Sequence, residues 1–505
     1  MSHYKPYLAY RDSGVEWIEQ VPEHWARASI KHVLSAPITD GPHETPVFID
    51  DGVEFLSVDG IQEGELVFDG KRFISLEDHA RFCKKAKPQL NDVLVGKSAS
   101  VGKVARVKTS ADFNVWSPLA ILRSNPEKCD PAYLEFALKA DTAQQQIMLA
   151  GNTSTQANIG MDRLASVGIP LPPIGEQRQL THVVDLENIR IEALIAKKTR
   201  FIELLKEKRH AIIDHSVTQG LNPDAPLRNS DVEWLGDIPA HWEVRRMASI
   251  FREAIRPGDP DLPILSISIH DGITDNEVAQ EDRDRRVSQI EDRTKYKRVA
   301  PNDLAYNMMR AWQGAFGAVT VDGLVSPAYV VAEPMIEFRT AYIENLLRTP
   351  MAIEEMRRYS RGIADFRMRL YWDYFRDLKV CLPPLEEQDK ILEMITRETS
   401  RIDLLTEKTQ RSIDLLKERR AAFITAAVTA KSTFGSPHER HRTPREALRE
   451  LHRFKAGGAR LEGWRNNQIR YRAGVVCRRF DCLAGSLRPR REMGQAQEGQ
   501  WRPCP

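Results

Sequence analysis

Two glycine-containing segments carry residue types that bind nucleic acid: GKSASVGK at 96–103 and NMMRAWQGAFG at 307–317. Their candidate contact residues are Lys97, Ser98, Ser100 and Lys103 in the first segment, and Asn307, Arg310, Trp312 and Gln313 in the second. Arginine can donate two hydrogen bonds to guanine, asparagine and glutamine can form two with adenine, and lysine and serine bind phosphates. The segments therefore predict DNA contacts, with ordinary solvated loops as the alternative.

Two further polar segments follow at matching places, GNTSTQAN at 151–158 and RRYSRGIADFRMR at 357–369. Their candidate residues are Asn152, Thr153, Ser154 and Gln156 in the first, and Arg358, Tyr359, Arg361, Arg367 and Arg369 in the second. Because such clusters recur at matched places in both copies, we predict that these segments also contact DNA, with ordinary solvated loops as the alternative.

Catalytic and metal-binding patterns are not evident. Five residues separate Gly96 from Gly102, and Val104 stands where a phosphate-binding P-loop needs Ser or Thr. Six cysteines show no disulfide or zinc spacing, and His438 and His441 have no partners in sequence. We predict no catalytic residue, no metal site and no cofactor in this chain, although a catalytic set assembled from distant residues, such as a hidden nuclease site, stays open.

Charge is unevenly distributed along the 505 residues, whose net charge is +2. Residues 432–505 hold fifteen Arg and one Lys against seven acids, a net charge of +9, so the other 431 residues carry −7. DNA binding by the body of the chain must therefore rest on local basic patches. No apolar run is long enough for a membrane span or a signal peptide, and we expect a cytoplasmic protein.

The chain repeats itself at a distance above 200 residues. VEWIEQVPEHW at 15–25 returns as VEWLGDIPAHW at 232–242, which is 217 residues later. LPPIGEQ at 171–177 returns as LPPLEEQ at 382–388, and the LLKEKR and LLKERR runs follow at the same offset of 211. Six residues are thus missing from the second copy between 243 and 301. A period of this size excludes a solenoid or a propeller.

Each copy begins with a mixed segment, predicted to be an α+β globule. Apolar runs such as EFLSVDGI (54–61), VLVGK (93–97) and GAVTV (317–321) are typical of strands, as are VARV (104–107) and LPILSISI (262–269), and 134–149 predicts a helix. We expect Trp17, Trp25, Trp234 and Trp242 of the repeated opening phrase to pack against the globules rather than to bind a ligand.

Each copy ends in a long helix. After the double proline, residues 174–217 contain only Gly175 as a helix breaker, which predicts about 65 Å of helix at 1.5 Å per residue. A seven-residue apolar repeat runs along both helices: Val184, Ile191, Leu205 and Ile212 in the first, and Ile395, Ile402, Leu416 and Phe423 in the second, with Leu194 and Leu405 as neighbours on the same stripe. Lys198 and Thr409 interrupt it with a polar layer. We predict an antiparallel coiled coil; two separate surface helices are the alternative.

With these motifs, the chain resembles the DNA-specificity subunit of Type I restriction–modification systems. The resemblance rests on the doubled V-E-W-[IL]-x-x-[VI]-P-x-H-W phrase, the doubled L-P-P-[IL]-x-E-Q junction and the L-L-K-E-[KR]-R runs, and it covers 12–430. It implies the following organisation: target recognition domain 1 at 1–170, a spacer helix and connector at 171–228, target recognition domain 2 at 229–381, and a second spacer helix at 382–431. The composition of residues 432–505 predicts an Arg-rich, disordered tail.

The resemblance also implies a fold and a set of partners. The fold is α+β, with two globular domains separated by two long antiparallel helices and a pseudo-twofold internal repeat. The partners are double-stranded DNA with a bipartite, asymmetric target, two methyltransferase subunits, and restriction (translocase) subunits. S-adenosylmethionine, ATP and Mg²⁺ are expected on those partners. A stand-alone DNA-binding regulator or decoy without enzyme partners is the alternative. The tail lies outside the resemblance and either adds nonspecific DNA affinity or has no selected function.

Overall fold

The computed structural model describes residues 7–14, 18–69, 72–151, 158–269, 272–275, 292–362 and 368–431. The chain divides into a first unit, Met1–Phe434, and a second unit, Gly435–Pro505. All described residues belong to the first unit. Several residues singled out in the sequence lie outside the described ranges, namely Trp17, Asn152, Thr153, Ser154, Gln156, Arg367 and the tail at 432–505.

The first globule comprises the strands and short helices before residue 172. Its elements are β1 (Tyr10–Asp12), β2 (Gln20–Pro22), β3 (Ala26–Ser29), α1 (Ile30–Val33), β4 (Thr39–Asp40), β5 (Val53–Leu56), β6 (Ile61–Gln62), β7 (Glu65–Leu66), β8 (Phe73–Ile74), α2 (Leu76–Cys83), β9 (Val93–Gly96), β10 (Val104–Arg106), β11 (Asn114–Val115), β12 (Leu119–Leu122), α3 (Pro131–Lys139), α4 (Asp141–Ala150), α5 (Met161–Ser166) and β13 (Gly168–Leu171). The long helix α6 (Ile174–Gln219) follows.

The second globule begins and ends with the same kinds of elements but differs from the first between β17 and β21, where the structure describes no counterpart of α2. Its elements are β14 (Leu227–Asn229), β15 (Asp237–Pro239), β16 (Glu243–Arg246), α7 (Met247–Ile250), β17 (Phe251–Glu253), β18 (Ile267–Ser268), β19 (Gly272–Ile273), β20 (Lys297–Val299), β21 (Leu304–Asn307), β22 (Phe316–Ala318), β23 (Gly323–Val325), β24 (Tyr329–Pro334), α8 (Thr340–Leu347), α9 (Pro350–Tyr359), α10 (Trp372–Phe375) and β25 (Lys379–Leu382). The second long helix, α11 (Leu385–Val428), follows.

Equivalent antiparallel sheets form the centre of the two globules. Listed from equivalent edges, the strand order is β4-β12-β9-β10 in the first globule and β17-β24-β21-β22 in the second. Val95 faces Ala120 in the first sheet, and Ala305 faces Val331 in the second. A two-stranded ribbon leads into each long helix: β13 pairs with β3, and β25 pairs with β16. The internal repeat is therefore structural as well as sequential.

Some local predictions differ from the structure. The helix predicted over 134–149 is broken at Ala140, whose backbone is extended (φ −67°, ψ 144°), so that α3 and α4 are separate. No Gly or Pro marks this break; Ala140 is fully buried, and its tertiary packing overrides helix propensity. The strand predicted over 262–269 is reduced to β18, and the run 54–61 contains a 3₁₀ turn, Val58–Gly60, between two strands.

The two long helices lie side by side and antiparallel. They contain 46 and 44 residues, which corresponds to lengths of about 65–70 Å. Glu187, early in α6, contacts Arg419, late in α11, at 2.8 Å, whereas Arg209, late in α6, pairs with Asp403, early in α11. Because early residues meet late ones at both levels, the predicted antiparallel arrangement is confirmed.

The interface between α6 and α11 follows the predicted seven-residue repeat. Val184, Ile191 and Leu205 of α6 are buried, as are Ile395 and Ile402 of α11, while Ile212, Leu416 and Phe423 are half-buried. Thr409 is buried and Lys198 half-buried in the middle of the helices. The pairing of Glu187 with Arg419 and of Arg209 with Asp403 puts these two polar residues at nearly the same level.

The placement of Leu194 and Leu405 on this stripe is corrected by the structure, because each is 38% exposed. The second buried row lies four residues, not three, after the first, so that Ile195 and Thr406 turn inward instead. On a helix with 3.6 residues per turn, a step of four stays within about 40° of the starting direction, whereas a step of three falls about 60° short. The second inward-facing row therefore consists of the residues four positions after the first row, because they point in nearly the same direction.

Each end of the helix pair is built into a different globule. The core of the first globule contains Leu180 from the start of α6 and Ala427 from the end of α11. The core of the second contains Val217 from the end of α6 and Ile391 from the start of α11. The two globules therefore sit at opposite ends of one helical rod, as predicted.

The ends of the repeat meet at the first globule. The Tyr10 hydroxyl donates a hydrogen bond to the Ala430 carbonyl at 2.9 Å, beyond the end of α11. In the second globule, β14, the equivalent of β1, is reached from α6 through continuous chain. In the first globule, a noncovalent contact therefore joins the end of a long helix to the first strand. In the second globule, the chain itself makes the equivalent connection.

The two repeated motifs contact each other within each globule. The His of P-x-H-W meets the Glu of L-P-P-x-E-Q: His24 Nε2 lies 3.0 Å from Glu176, and His241 Nε2 lies 2.7 Å from Glu387. The adjacent glutamine is buried in both copies. The motifs are repeated because together they fix the first turn of each long helix to its globule.

The tryptophans of the opening phrase pack as predicted. Trp25 and Trp242 are at most 1% exposed, and Trp234 is 6% exposed. Arg11 donates to the Trp25 carbonyl at 2.6 Å, and Arg228 donates to the Trp242 carbonyl at 2.7 Å, so both copies secure the phrase in the same way.

We expect Gln388→Ala to lower the free energy of unfolding by about 1–3 kcal/mol, because it leaves buried polar groups without partners. Gln388 Oε1 accepts from the Arg339 amide at 2.8 Å, and its Nε2 donates to the Pro383 carbonyl at 2.8 Å. Urea unfolding of the full chain measures the loss. The control is Gln410→Ala on the exposed side of the same helix, for which we expect a change within about 0.5 kcal/mol. Equal effects of the two changes would contradict the anchoring role.

Candidate nucleic-acid interface

In the first globule, the candidate residues lie on the turn that joins β9 to β10. Ala99 and Gly102 both adopt positive φ (63° and 90°), and the Gly102 amide donates to the Gly96 carbonyl at 2.9 Å. Ser98 and Ser100 are partly exposed on this turn. A tight turn of this kind projects short polar side chains away from the sheet.

The turn adjoins the end of the second predicted segment. Ser98 pairs with Asn158 as an isolated antiparallel bridge, and the Ile159 amide donates to the Lys97 carbonyl at 2.8 Å. The segments 96–103 and 151–158 are therefore neighbours in space, as far as the second segment is described.

The two lysines of the turn are directed inward. Lys97 Nζ lies 3.0 Å from Asp40 Oδ2, and the Lys97 side chain is only 13% exposed. Lys103 Nζ lies 3.4 Å from the Val58 carbonyl. Both remain predicted DNA contacts, although in this structure Lys97 forms an ion pair with the buried carboxylate of Asp40.

In the second globule, the candidate residues lie on the equivalent turn between β21 and β22. Asn307 Oδ1 accepts from the Met309 amide at 3.0 Å, and Trp312 Nε1 donates to the Met309 carbonyl at 3.0 Å. Gly314 closes the turn with φ +90°. Arg310 and Gln313 are exposed, so the turn holds itself together with Asn307 and Trp312 and presents the other two side chains outward.

The Arg-rich segment lies beside this turn. The Leu370 amide donates to the Met308 carbonyl at 2.9 Å, and Arg361 and Arg369 face each other across an isolated bridge. The Arg357 guanidinium stands 5.6 Å from the centre of the Trp312 ring. The structure thus brings the two predicted segments of the second globule into one surface.

Aromatic rings hold two of these arginines in place. Besides the Arg357–Trp312 contact, the Arg361 guanidinium lies 4.9 Å from the centre of the Tyr374 ring. A stacked guanidinium keeps its hydrogen-bonding edges free and loses less conformational freedom on binding. Tyr374 was not singled out in the sequence, because no local pattern relates it to Arg361.

Other arginines of the segment differ in their surroundings. Arg358 lies 3.3 Å from Glu233 and 3.2 Å from Glu355, so its charge is partly compensated. Arg310 and Arg369 are exposed and have no acidic partner among the residues that the structure describes. Tyr359 is half-buried, and this burial raises the pKa of its phenol. Arg310 and Arg369 are therefore the strongest candidates for contact with an anion or a base edge.

Within the described ranges, no helix has the length and apolar character of a membrane span. In the same ranges, no three His, Cys, Asp or Glu side chains are grouped as metal ligands. The chemistry that the described surfaces offer is hydrogen bonding and charge attraction, in both globules at the same topological position.

If the second surface reads DNA bases, we expect Arg310→Ala to relax sequence preference in one half of the target by about 1–3 kcal/mol. The measurement is competition binding between the target duplex and duplexes substituted at single positions. Arg298→Ala is the control, because Arg298 is exposed but paired with Asp322 at 3.1 Å. A loss that is uniform over all sequences would instead identify Arg310 as a phosphate contact.

Comparison with known proteins relates these surfaces to a family. A sequence model described as Type I restriction modification DNA specificity domain matches residues 49–197. The chain is 26% identical over 169 residues to the Type I restriction enzyme EcoBI specificity subunit of Escherichia coli, covering 33% of this chain and 35% of that protein. It is 25% identical over 237 residues to the putative type I restriction enzyme MjaX specificity subunit of Methanocaldococcus jannaschii, covering 45% and 52%.

The chain thus spans about a third to a half of these relatives. A solved chain, described as "Structural basis underlying complex assembly and conformational transition of the type I R-M system", shares the fold with a TM-score of 0.56 at 15% identity, covering 81% of this chain and 98% of that one. The resemblance drawn from the motifs is confirmed: residues 49–197 match the model of the Type I restriction modification DNA specificity domain, and both relatives are described as specificity subunits.

Proposed function

We propose that this chain is the non-catalytic DNA-specificity subunit of a Type I restriction–modification complex. In this proposal each globule reads one half of a bipartite target in double-stranded DNA, and the helix pair sets the distance between the halves. The observation that carries the proposal is the placement of two equivalent globules at opposite ends of an antiparallel helix pair. Such a rod fixes the separation of two contact surfaces, as a symmetric dimer fixes half-site spacing.

The difference between the two candidate surfaces supports an asymmetric target. The turn of the first globule offers serines and two lysines, whereas that of the second offers Arg310 and Gln313 beside further arginines. Different donor sets select different bases. The two half-sites are therefore expected to differ in sequence, although the globules share one fold.

Exchanging residues 26–170 for the same region of another specificity subunit should change only one half of the methylated sequence. The reason is that the sheets formed by β3 to β13 share no strand with those of the second globule. His24 and Glu176, which join the first globule to the rod, lie outside the exchanged region and are unchanged. The measurement is methylome sequencing of cells that express the exchanged chain with its methyltransferase partner. The unaltered chain in the same cells is the control. A change in both halves would contradict modular reading, and no methylation in either strain would contradict the proposed function.

The exposed faces of the rod support docking of two copies of one partner. Leu194 and Leu405 occupy equivalent positions of the repeat, and each is 38% exposed. Leu204 and Leu415, the first leucines of the L-L-K-E runs, are also equivalent and are 46% and 56% exposed. Exposed apolar residues repeated by a pseudo-twofold are typical of two identical binding surfaces.

We propose methyltransferase subunits as these partners, with restriction subunits joining the resulting core. Methyl transfer from S-adenosylmethionine, and chemistry that needs ATP and Mg²⁺, would then reside in the partner chains. The proposed place of action is the cytoplasm, since the ligand is DNA. A stand-alone regulator would need no exposed leucines on the rod, and their duplication favours the complex.

Two double substitutions test the docking surfaces. Because α6 starts and α11 ends at the first globule, Leu194 and Leu415 lie nearer to it, and Leu204 and Leu405 lie nearer to the second. We expect Leu194→Asp with Leu415→Asp, and separately Leu204→Asp with Leu405→Asp, each to reduce two bound methyltransferases to one. Native mass spectrometry of the co-expressed complex counts them.

Leu227→Asp is the matched control for these substitutions, because Leu227 is 50% exposed but lies on β14, away from the rod. It should retain both partners. Retention of two methyltransferases in the double variants would contradict docking through these leucines.

A further inference from the structure

A buried carboxylate lies beside the candidate turn of the first globule and gathers cations from three separate segments. Asp40, at the end of β4, has a side chain that is only 3% exposed. Lys85 Nζ lies 2.7 Å from Oδ1, and Lys97 Nζ lies 3.0 Å from Oδ2. His43 Nε2 lies 3.4 Å from Oδ2. One negative charge is therefore surrounded by three basic side chains.

The charge of this cluster does not balance. Burial alone would raise the pKa of Asp40, but the hydrogen bonds and charges of Lys85 and Lys97 outweigh it and hold the pKa below its usual value. With the carboxylate ionised and both lysines charged, the group carries a net positive charge, which increases when His43 is protonated. The cluster therefore holds more positive charge than is needed to neutralise Asp40.

The surplus charge is available from outside. The side chains of Lys85 and His43 are 46% and 71% exposed, whereas that of Lys97 is 13% exposed. An incoming anion would therefore meet Lys85 and His43 first, with Asp40 and Lys97 behind them. Lys85 is also fixed by a hydrogen bond to the Gly41 carbonyl at 2.6 Å.

The backbone that carries these groups is tightly packed. A Cβ atom at Gly41 would lie 1.7 Å from the Val115 carbonyl oxygen, so only glycine fits at position 41, next to Asp40. The Lys97 carbonyl accepts from the Ile159 amide at 2.8 Å, which ties the cluster to the candidate interface. Lys97 directly follows β9, and Lys85 lies two residues after α2, so two of the cations stand at the ends of regular elements.

We propose that Asp40 is a positioning residue that holds Lys85, Lys97 and His43 as a receptor for one DNA backbone phosphate. This inference rests on the proposed function, which it deepens by assigning backbone contact in the first globule to Lys85 and His43, outside the predicted turn, together with Lys97. Phosphate contacts fix the register of a protein on the duplex without reading sequence. The neighbouring serines on the turn are then free to approach base edges.

The direction in which Asp40→Asn changes DNA affinity distinguishes a positioning role of Asp40 from simple electrostatic attraction of DNA by the cluster. Asp40→Asn removes a negative charge near DNA, so bulk electrostatics would strengthen binding. If Asp40 positions the cations, binding should instead weaken by about tenfold, the effect of losing one charge-assisted hydrogen bond. Thermal unfolding of the full chain verifies that the variant is folded. Tighter binding by folded Asp40→Asn would overturn the proposal.

A surface substitution keeps the test decisive if Asp40→Asn does not fold. Lys85→Gln should weaken binding of the full chain to a mixed-sequence DNA duplex by about tenfold and reduce the slope of log Kd against log salt concentration by about 0.9. A mixed-sequence duplex suffices, because phosphate contacts do not depend on sequence. Lys31→Gln is the control, an exposed lysine on α1 for which we expect no change.

The outcomes distinguish this inference from the proposed function. An unchanged slope with Lys85→Gln, while the unaltered chain binds DNA, would overturn the phosphate receptor only. Failure of the unaltered chain to bind any duplex would overturn the proposed function itself.

Discussion

The antiparallel pairing of α6 and α11 is the constraint on which the rest of the structure depends. Each helix has an apolar seam that would be exposed to water if the helix stood alone, and each buries this seam against the other. Each globule core is completed by the ends of both helices. Separating the helices would therefore also open both cores, so the rod and the globules form one cooperative body rather than independent parts joined by a spacer.

The repeated motifs make this arrangement stiff. In each copy a histidine from the opening phrase meets a glutamate in the first turn of the long helix, and the next glutamine ties the same turn to the loop before α3 or α8. The contacts that fix each globule to its long helix are thus the same in both copies, whereas the candidate DNA-binding turns differ.

The sequence alone predicted those features that follow from a periodic pattern of residues. The repeat, the long helices and the burial of Val184 and Ile191 follow from spacing, because a helix face returns every seven residues. Leu194 was placed on the wrong side because steps of three and four residues are both compatible with such a pattern. The break at Ala140 carries no sequence signal, since it depends on tertiary packing.

The candidate surfaces were predicted in part for a similar reason. Turns rich in glycine and polar residues are visible in the sequence, whereas the contact between the two segments of each globule is seen only in the structure. The contact between Asp40 and Lys85 spans 45 positions and joins two different elements, so no local pattern reveals it. The stacking of Arg357 on Trp312 is hidden in the same way.

The closure between Tyr10 and Ala430 has a consequence for biosynthesis. The core of the first globule includes Ile424, Ala427 and Val428, which leave the ribosome more than 250 residues after β13. Contacts between residues so far apart in sequence form late. The amino-terminal globule therefore cannot complete its core before α11 has been synthesised, and until then its apolar surface stays exposed or is sheltered by another protein.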